Sequence, residues 1–492
     1  MEVLDTTIVN VALPHIAGNL SVSEDDATWA LTIYLIANAI VLTISGSLSR
    51  RFGRKRFFMI CVGVFALASL GCGICTSFME LLMFRAVQGF FGGGLQPTQQ
   101  AIILDTFPPE KRGQAFALTA VAIIIAPVIG PVVGGYLTQE YSWHLIFLIN
   151  VPVGIATLFG VWRMVEDSPT VKREMRTAPS FDYIGTGFIA VALGCLELAA
   201  DRGEDLDWLA SNFICAMFLL SALAFIFGIL YLLYTEHPIV DLRVFKDRNF
   251  ALGFIEIGIM GLVLYTSAVL IPQFAQQQLG YTATWAGFVL APGAIVLALL
   301  IPLVGQLLKI VPAKYTIAAG GLALASALFY SMHLVPKEDF FHLALLRAAQ
   351  TSALSLLFVP ISTITFATLP QRLNGDGSAL FAMSRNVFGG IGISVATAMV
   401  TSHEQMNQQN LVRNLTPLYR PYDTTLAQIQ HGLVAAGDSM AQAMSAAPGK
   451  LYQMLQSQVA LLAYIDVFFI SGVMALAIVP AALLMSRGKA SR

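Results

Sequence analysis

Charge is scarce in this chain. Only 12% of its 492 residues are Asp, Glu, Lys or Arg, while 57% are hydrophobic, so there is too little polar surface to cover soluble domains of this size. That excludes a soluble enzyme or a nucleic-acid-binding protein and leaves a polytopic all-α membrane protein. Histidine and cysteine are also few, at seven and five. The histidines are scattered and no G-x-x-x-x-G-K-[ST] nucleotide loop is present, which argues against a membrane-embedded enzyme. Cys61, Cys72, Cys75, Cys195 and Cys215 all lie in apolar runs; the Cys72-Gly-Ile-Cys75 spacing is metal-like, but two buried small residues explain it. No metal or organic cofactor is expected. A cleavable signal peptide is also missing, and the first apolar run can serve as the targeting segment.

What is there is hydrocarbon. Fourteen apolar runs follow one another, from 3–18 to 458–485, and each except the first reaches the ~20 residues that a ~30 Å hydrocarbon layer requires. The first begins almost at Met1; either the true start lies upstream or interfacial residues complete a short helix. Lys and Arg set the orientation. Of the 28, twenty fall in one set of alternate connections, five in the other (Arg202, Lys337, Arg413, Arg420, Lys450) and three within spans (Arg85, Arg347, Arg385). The excess predicts both termini in the cytoplasm.

The chain also repeats itself. Ala27-Thr-Trp29-Ala30 and Ala39-Ile-Val-Leu42 recur as Ala283-Thr-Trp285-Ala286 and Ala294-Ile-Val-Leu297. At one constant spacing of 262 residues, Arg85, Gln88, Pro108, Gly113 and Leu118 match Arg347, Gln350, Pro370, Gly375 and Leu380. Two related six-span halves in the same orientation are an arrangement typical of alternating-access transporters. The expected division is an N-terminal bundle over 1–163, a linker over 164–249 with two inserted spans (183–200 and 212–234), and a C-terminal bundle over 250–492.

One stretch carries charge into the membrane. Between Leu81 and Gln100, the residues Arg85, Gln88, Gln96 and Gln99 fall within about 80° of one another on a continuous helix. An arginine at that depth costs at least ~2.5 kcal/mol unless it meets water or an acid. Asp5 in the first span is the acid available, although counting residues places it several ångströms deeper. The pair is either a proton-coupling site, tuned by burial against an adjacent guanidinium, or a structural ion pair. Glu197, Glu256 and Asp466 are further embedded acids with no firm role. Their small number argues against a pump dedicated to dications.

These residues resemble the major facilitator superfamily, and within it the fourteen-span drug:proton antiporters of the EmrB/QacA type. The resemblance rests on Leu4-Asp5-Thr-Thr-Ile-Val-Asn10-Val-Ala-Leu-Pro14, Arg85-x-x-Gln88-Gly89, Gly130-Pro131-Val-Val-Gly134-Gly135, Trp143-x-x-Ile-Phe-x-Ile-Asn150-Val-Pro152 and Asp201-Arg202-Gly203 with Asp207-Trp208. The loop with Gly46, Gly53 and Arg54 resembles the superfamily signature, except that Arg50 stands where an acid is usual, so a latch built on that acid is not expected. The resemblance implies a proton-coupled multidrug exporter of a bacterial inner membrane with no cofactor but the proton, Asp5 and Arg85 coupling it, and a bend at Gly130-Pro131.

A substrate pocket between the halves should draw on Trp29, Tyr34, Gln88, Gln96, Gln99, Tyr265 and Phe358, with Arg385 at the cavity or inner rim. The long hydrophilic excursion 401–457 has helical periodicity from Thr424 to Gln458, with Leu426, Ile429, Leu433 and Val434 on one side. The resemblance to EmrB-type pumps implies that it contacts a periplasmic adaptor, itself joined to an outer-membrane channel; the alternative is that it caps the vestibule. An importer, an exporter of one metabolite, or a receptor are the competing readings.

Overall fold

The computed structural model describes residues 1–492 apart from 169–170, 173–174, 176–180, 337, 414, 416–419 and 487–492. Arg173, Arg176, Lys337, Arg487, Lys489 and Arg492, six of the charges used for orientation, lie outside the described residues. Every regular element among the described residues is helical.

The first half consists of α1 (Glu2–Leu20), α2 (Trp29–Phe52), α3 (Arg54–Cys72), α4 (Phe78–Gly92), α5 (Leu95–Thr106), α6 (Pro109–Glu140) and α7 (Asn150–Met164). The inserted pair is α8 (Tyr183–Arg202) and α9 (Asn212–Tyr234). The second half consists of α10 (Arg248–Leu279), α11 (Ala283–Leu307), α12 (Ala313–Tyr330), α13 (Phe340–Thr365) and α14 (Asn374–Val412), followed by α15 (Arg420–Ala435), α16 (Met440–Leu476) and the short α17 (Ile478–Leu484). Among the described residues, eleven helices are long and apolar enough to cross a membrane by length and composition. The three other expected spans, α1, the α4–α5 pair and α6, pack among them.

Polar side chains at the connections set the helix starts. Ser77 and Glu80 form a capping box at α4, Ser439 and Gln442 do the same at α16, and Asp182, Asp247 and Asp339 cap α8, α10 and α13. Each satisfies backbone N–H groups that the first helical turn leaves free.

The expected single helix through Leu81–Gln100 is interrupted at Gly93–Gly94, leaving pieces of 15 and 12 residues. The reason is close packing. A β-carbon on Gly93 would sit 2.3 Å from the Asn38 carbonyl oxygen of α2, so the chain steps past its neighbour there, and the Arg85–Gln88 and Gln96–Gln99 pairs do not share one stripe.

The halves meet where α2 and α5 pack on α14 and where α6 packs on α11 and α13. The inserted α8 touches both α2 and α14 and so bridges the halves. Alternating helix directions collect the basic connections at one end, where Lys55 Nζ donates to the Trp162 carbonyl at 2.8 Å and Asn249 Nδ2 to that of Ser486 at 3.2 Å. At the opposite, far end, α14 runs for 39 residues, about 58 Å at ~1.5 Å per residue, well beyond a ~30 Å hydrocarbon layer. The helix expected from Thr424 to Gln458 is divided between α15 and α16. Gly437 with φ 108° turns the chain between them, and α15 packs back on α16.

Candidate functional site

Asp5 and Arg85 meet inside the first half, both fully buried. The reach of the guanidinium closes the difference in depth. Arg85 Nη1 donates to Asp5 Oδ2, Gln88 Nε2 and Asn150 Nδ2 each donate to Asp5 Oδ1 at 2.8 Å, and Arg85 Nε donates to the Ala30 carbonyl at 2.9 Å. One carboxylate therefore ties α1 to α4 and α7, and Arg85 ties that knot to α2. Ser69 of α3 joins by accepting from Gln88 at 2.6 Å. Asn150, quoted above only as part of a motif, is thereby a direct partner of the acid.

The internal repeat reproduces this knot with one change. Adding 262 to Asp5, Ser69, Arg85 and Gln88 gives Ser267, Ser331, Arg347 and Gln350. These four also form a cluster, in which Arg347 Nη1 donates to Ser267 Oγ at 2.7 Å and Gln350 Nε2 to Ser331 Oγ at 3.0 Å. Where the first half has a carboxylate, the second has a hydroxyl. A titratable version of the knot therefore exists in one half alone.

Between the halves lies a cavity of about 780 Å³. Its walls come from α1, α2, α5 and α6 on one side, α10 and α14 on the other, and the inserted α8. Tyr34 links this space to the buried knot, because it lines the cavity while its ring centroid lies 4.1 Å from the Arg85 guanidinium carbon. Toward the far end the lining residues His15, Gln139, Gln276 and Gln277 are exposed. Toward the basic end the lining closes on buried Glu2 and Asn38, where Asn38 Nδ2 donates to Glu2 Oε1 at 3.0 Å.

The basic end is shut by contacts that cross the halves. Arg50 of α2 pairs with Asp376 of α14 at 2.6 Å, Asn374 Nδ2 reaches Asp105 at 3.4 Å, and Arg385 donates to Gln96 of α5. The latch expected to be missing is present with its polarity reversed, since the base stands on α2 and the acid in the first turn of α14. Gly53, at φ +83°, lets the chain turn into α3 so that Arg54 pairs with Asp105 and donates to the Ala101 carbonyl at 2.6 Å.

Residues 1–393 match the family model of the Major Facilitator Superfamily. The chain belongs to the Major Facilitator Superfamily. It is 33% identical over 472 residues to the multidrug export protein EmrB of Escherichia coli K12, covering 96% of this chain and 90% of that one. It is 34% identical to the probable multidrug resistance protein EmrY of the same organism (87% and 83% covered) and 32% identical to the fatty acid resistance protein FarB of Neisseria gonorrhoeae (89% and 86%). Among solved structures, a bacterial homolog of the human lysosomal transporter Spinster, inward-facing and occupied, aligns over 99% of this chain and 94% of that one with a TM-score of 0.52 at 17% identity. The human organic anion transporter MFSD10 aligns over 96% of each chain with a TM-score of 0.54 at 12% identity. At such identities these two speak for the fold alone. This superfamily member is a multi-pass membrane transporter and not an enzyme.

Of the expected pocket residues of this superfamily member, Tyr34, Gln96 and Tyr265 line the cavity. Gln88 is absorbed in the Asp5 knot, and Gln99 donates to Thr119 Oγ1 at 3.2 Å. Phe358 lies under Arg385, 5.7 Å from ring centroid to guanidinium carbon, and Trp29 lies under Arg202 at 4.5 Å. Those four are placed elsewhere because distance along a helix says nothing of the direction a side chain takes.

Gly130 and Gly134 pack α6 onto Thr7 and Ile8 of α1, and Pro131 and Gly135 line the cavity. α6 continues through Pro131 as one helix. Among the remaining acids, Asp466 pairs with His403 at 2.7 Å, and Glu256 is wholly buried with neither oxygen hydrogen-bonded. Glu197 lines the cavity, as do Asp201, until now only a member of a motif, and Glu2, which no motif marked. The signal for Glu2 was available, an acid one helical turn before Asp5.

Proposed function

We propose that this transporter exports hydrophobic and amphiphilic drugs from the cytoplasm in exchange for protons, by alternating access. The observation that carries the reading is a drug-sized cavity between two repeated halves with a buried carboxylate knot one side chain behind its wall. With the basic end in the cytoplasm, the cavity described here opens outward. In this scheme a proton entering from outside reaches Asp5. Protonation removes the negative charge that strengthens the bonds from Arg85, Gln88 and Asn150 and leaves one oxygen with less acceptor capacity, so the knot loosens and α1 is freed to move against α4 and α7. One proton moving down ~100 mV gains ~2.3 kcal/mol and each pH unit adds ~1.36, sufficient for a drug gradient of a few hundredfold.

Proteoliposomes holding the full chain test this. An imposed pH gradient is expected to drive accumulation of a fluorescent amphiphile on the side that the protons leave, and reversing the gradient should reverse the movement. Accumulation indifferent to the gradient's sign overturns the coupling.

The similarity to EmrB and EmrY supports a second element, an inner-membrane pump working with a periplasmic adaptor and an outer-membrane channel. The contact for the adaptor is the projecting end of α14, α15 and α16. Gln408 and Gln456 both donate to Tyr452 Oη there, at 3.0 and 2.7 Å. Leu426, Ile429 and Leu433 are partly covered, while Val434, Met440, Met444 and Met454 remain exposed, an apolar surface suited to a protein partner. Replacing 413–439 by a short Gly/Ser linker is expected to abolish adaptor co-purification while the spans remain assembled. Undiminished retention removes the contact.

A further inference from the structure

We propose that one phospholipid binds as a resident ligand between the inserted helix pair and the second half, with an acyl chain in an apolar crevice and its phosphate on Arg243 and Lys246. The crevice encloses about 210 Å³ and shares no lining residue with the central cavity. Phe188 of α8 with Phe225 and Ile229 of α9 form one wall, and Phe254 of α10 with Leu380 and Met383 of α14 form the other.

The lining decides what can enter. Its polar side chain is Thr43, whose hydroxyl already donates to the Ala39 carbonyl at 2.9 Å. A polar group placed here would lose its water without gaining a partner, so the part of a ligand that enters is hydrocarbon. The volume is below the ~300–1,000 Å³ of sites that hold whole drug-sized molecules and suits a thin chain. Ile229, on a helix long and apolar enough to cross a membrane, is 46% exposed, so the crevice opens toward lipid. Left unfilled, its walls would forfeit packing contacts.

The 3-10 helix Leu242–Lys246 supplies the headgroup site. Side chains three residues apart eclipse in such a helix, which gives this one three distinct edges. Leu242 and Phe245 line the crevice, Val244 is buried, and Arg243 and Lys246 are exposed together. An apolar edge therefore lies directly beside a basic one, the order in which a phospholipid presents its chain and its phosphate. The neighbouring acids are engaged with backbone: Asp241 accepts from the Arg243 N–H and Asp247 from the Phe250 N–H, both at 2.9 Å. Asp241 also lies 3.9 Å from Arg243 Nε, a contact through one nitrogen that leaves the other guanidinium donors for a phosphate. Glu236, Asp241 and Asp247 offset Arg243, Lys246 and Arg248 in formal charge, so the site reads the phosphate through hydrogen bonds and not the net charge of the lipid.

Leu380 stands one helical turn beyond Asp376, the acid of the closed latch. A chain in the crevice thus braces that turn of α14 against the insertion, and the bound lipid favours the state shut at the basic end. The insertion contributes a wall to this second site as well as to the central cavity.

Native mass spectrometry of the purified full-length protein, delipidated in detergent and titrated separately with dioleoylphosphatidylcholine, dioleoylphosphatidylglycerol and dioleoylglycerol, tests the assignment. The three share both chains and differ only in the headgroup. One molecule of either phospholipid is expected to bind at least about tenfold more tightly than the diacylglycerol, with the two phospholipids within about threefold of each other. Arg243→Gln/Lys246→Gln should lower phospholipid affinity about tenfold, to that of the diacylglycerol, and Ala224→Phe, which fills the crevice, should remove the tight site. Diacylglycerol binding as tightly as phospholipid to the wild type overturns the proposal, and so does phospholipid affinity unchanged in the double variant. Should Ala224→Phe fail to fold, the double variant, confined to exposed side chains, decides alone.

Discussion

Asp5→Asn is expected to lower pH-gradient-driven export at least 100-fold and to abolish the proton movement that drug addition triggers in vesicles. The substitution keeps the shape of the side chain but presents an amide to two other amides, Gln88 and Asn150, and removes the counter-charge from a guanidinium with no exposed surface. Breaking a buried pair by removing one partner typically costs about 3–5 kcal/mol, so thermal unfolding should also occur several degrees lower. Stability and coupling are separable. Arg85→Gln on its own strands the carboxylate and should destabilise similarly, whereas the double variant Asp5→Asn/Arg85→Gln leaves no uncompensated charge and should recover much of the lost stability without recovering coupled export. If the double variant regains both, or if Asp5→Asn exchanges drug for protons normally, the knot is scaffolding and the proton travels elsewhere.

The second large effect is expected at the closed end. A β-carbon on Gly46 would lie 2.7 Å from the Gly375 carbonyl oxygen and 2.9 Å from the Asp376 nitrogen. Both are backbone atoms, which no change of side-chain conformation can move aside. Gly46→Val therefore forces α2 and α14 apart at the basic end, and overpacking of this kind costs about 1–3 kcal/mol. Charged to the state shut at the basic end alone, that moves the population about 5- to 150-fold toward the state open at that end. Spin labels at the basic ends of α2 and α14 should report the longer distance as the major one.

The Arg50–Asp376 pair beside it gives an internal control. Arg50→Asp places two acids in contact and should shift the equilibrium the same way, while Arg50→Asp combined with Asp376→Arg should restore closure. Unchanged distances in Gly46→Val would show that this contact does not hold the gate.

The reversed latch shows how a sequence pattern can mislead about a structure. Arg50 in place of an acid reads locally as a lost interaction, but a latch requires only opposite charges on facing helices, and Asp376 supplies the other sign. The partner lies hundreds of residues away, where no local pattern connects the two. Much the same holds for the cavity. Few embedded acids argued against a pump dedicated to dications, yet Glu2, Glu197 and Asp201 converge on one space, because helices from the first half and the insertion aim them inward. Gln88 and Gln99, at suitable depth, turn elsewhere.

By itself the sequence determined what depends on composition and on order along the chain. Too few charges for a soluble surface meant a membrane protein, a repeat at 262 residues meant two halves, and an arginine in hydrocarbon demanded an acid, since solvation costs at that depth permit little else. Only the tertiary structure decided that Gln88 and Asn150 share Asp5 with that arginine, that Ser267 stands against Arg347 in the second half, that the insertion forms a wall of the cavity, and which end is shut. Those outcomes depend on the direction each side chain takes around its helix and on which helices meet, and both are set by packing between segments far apart in the chain.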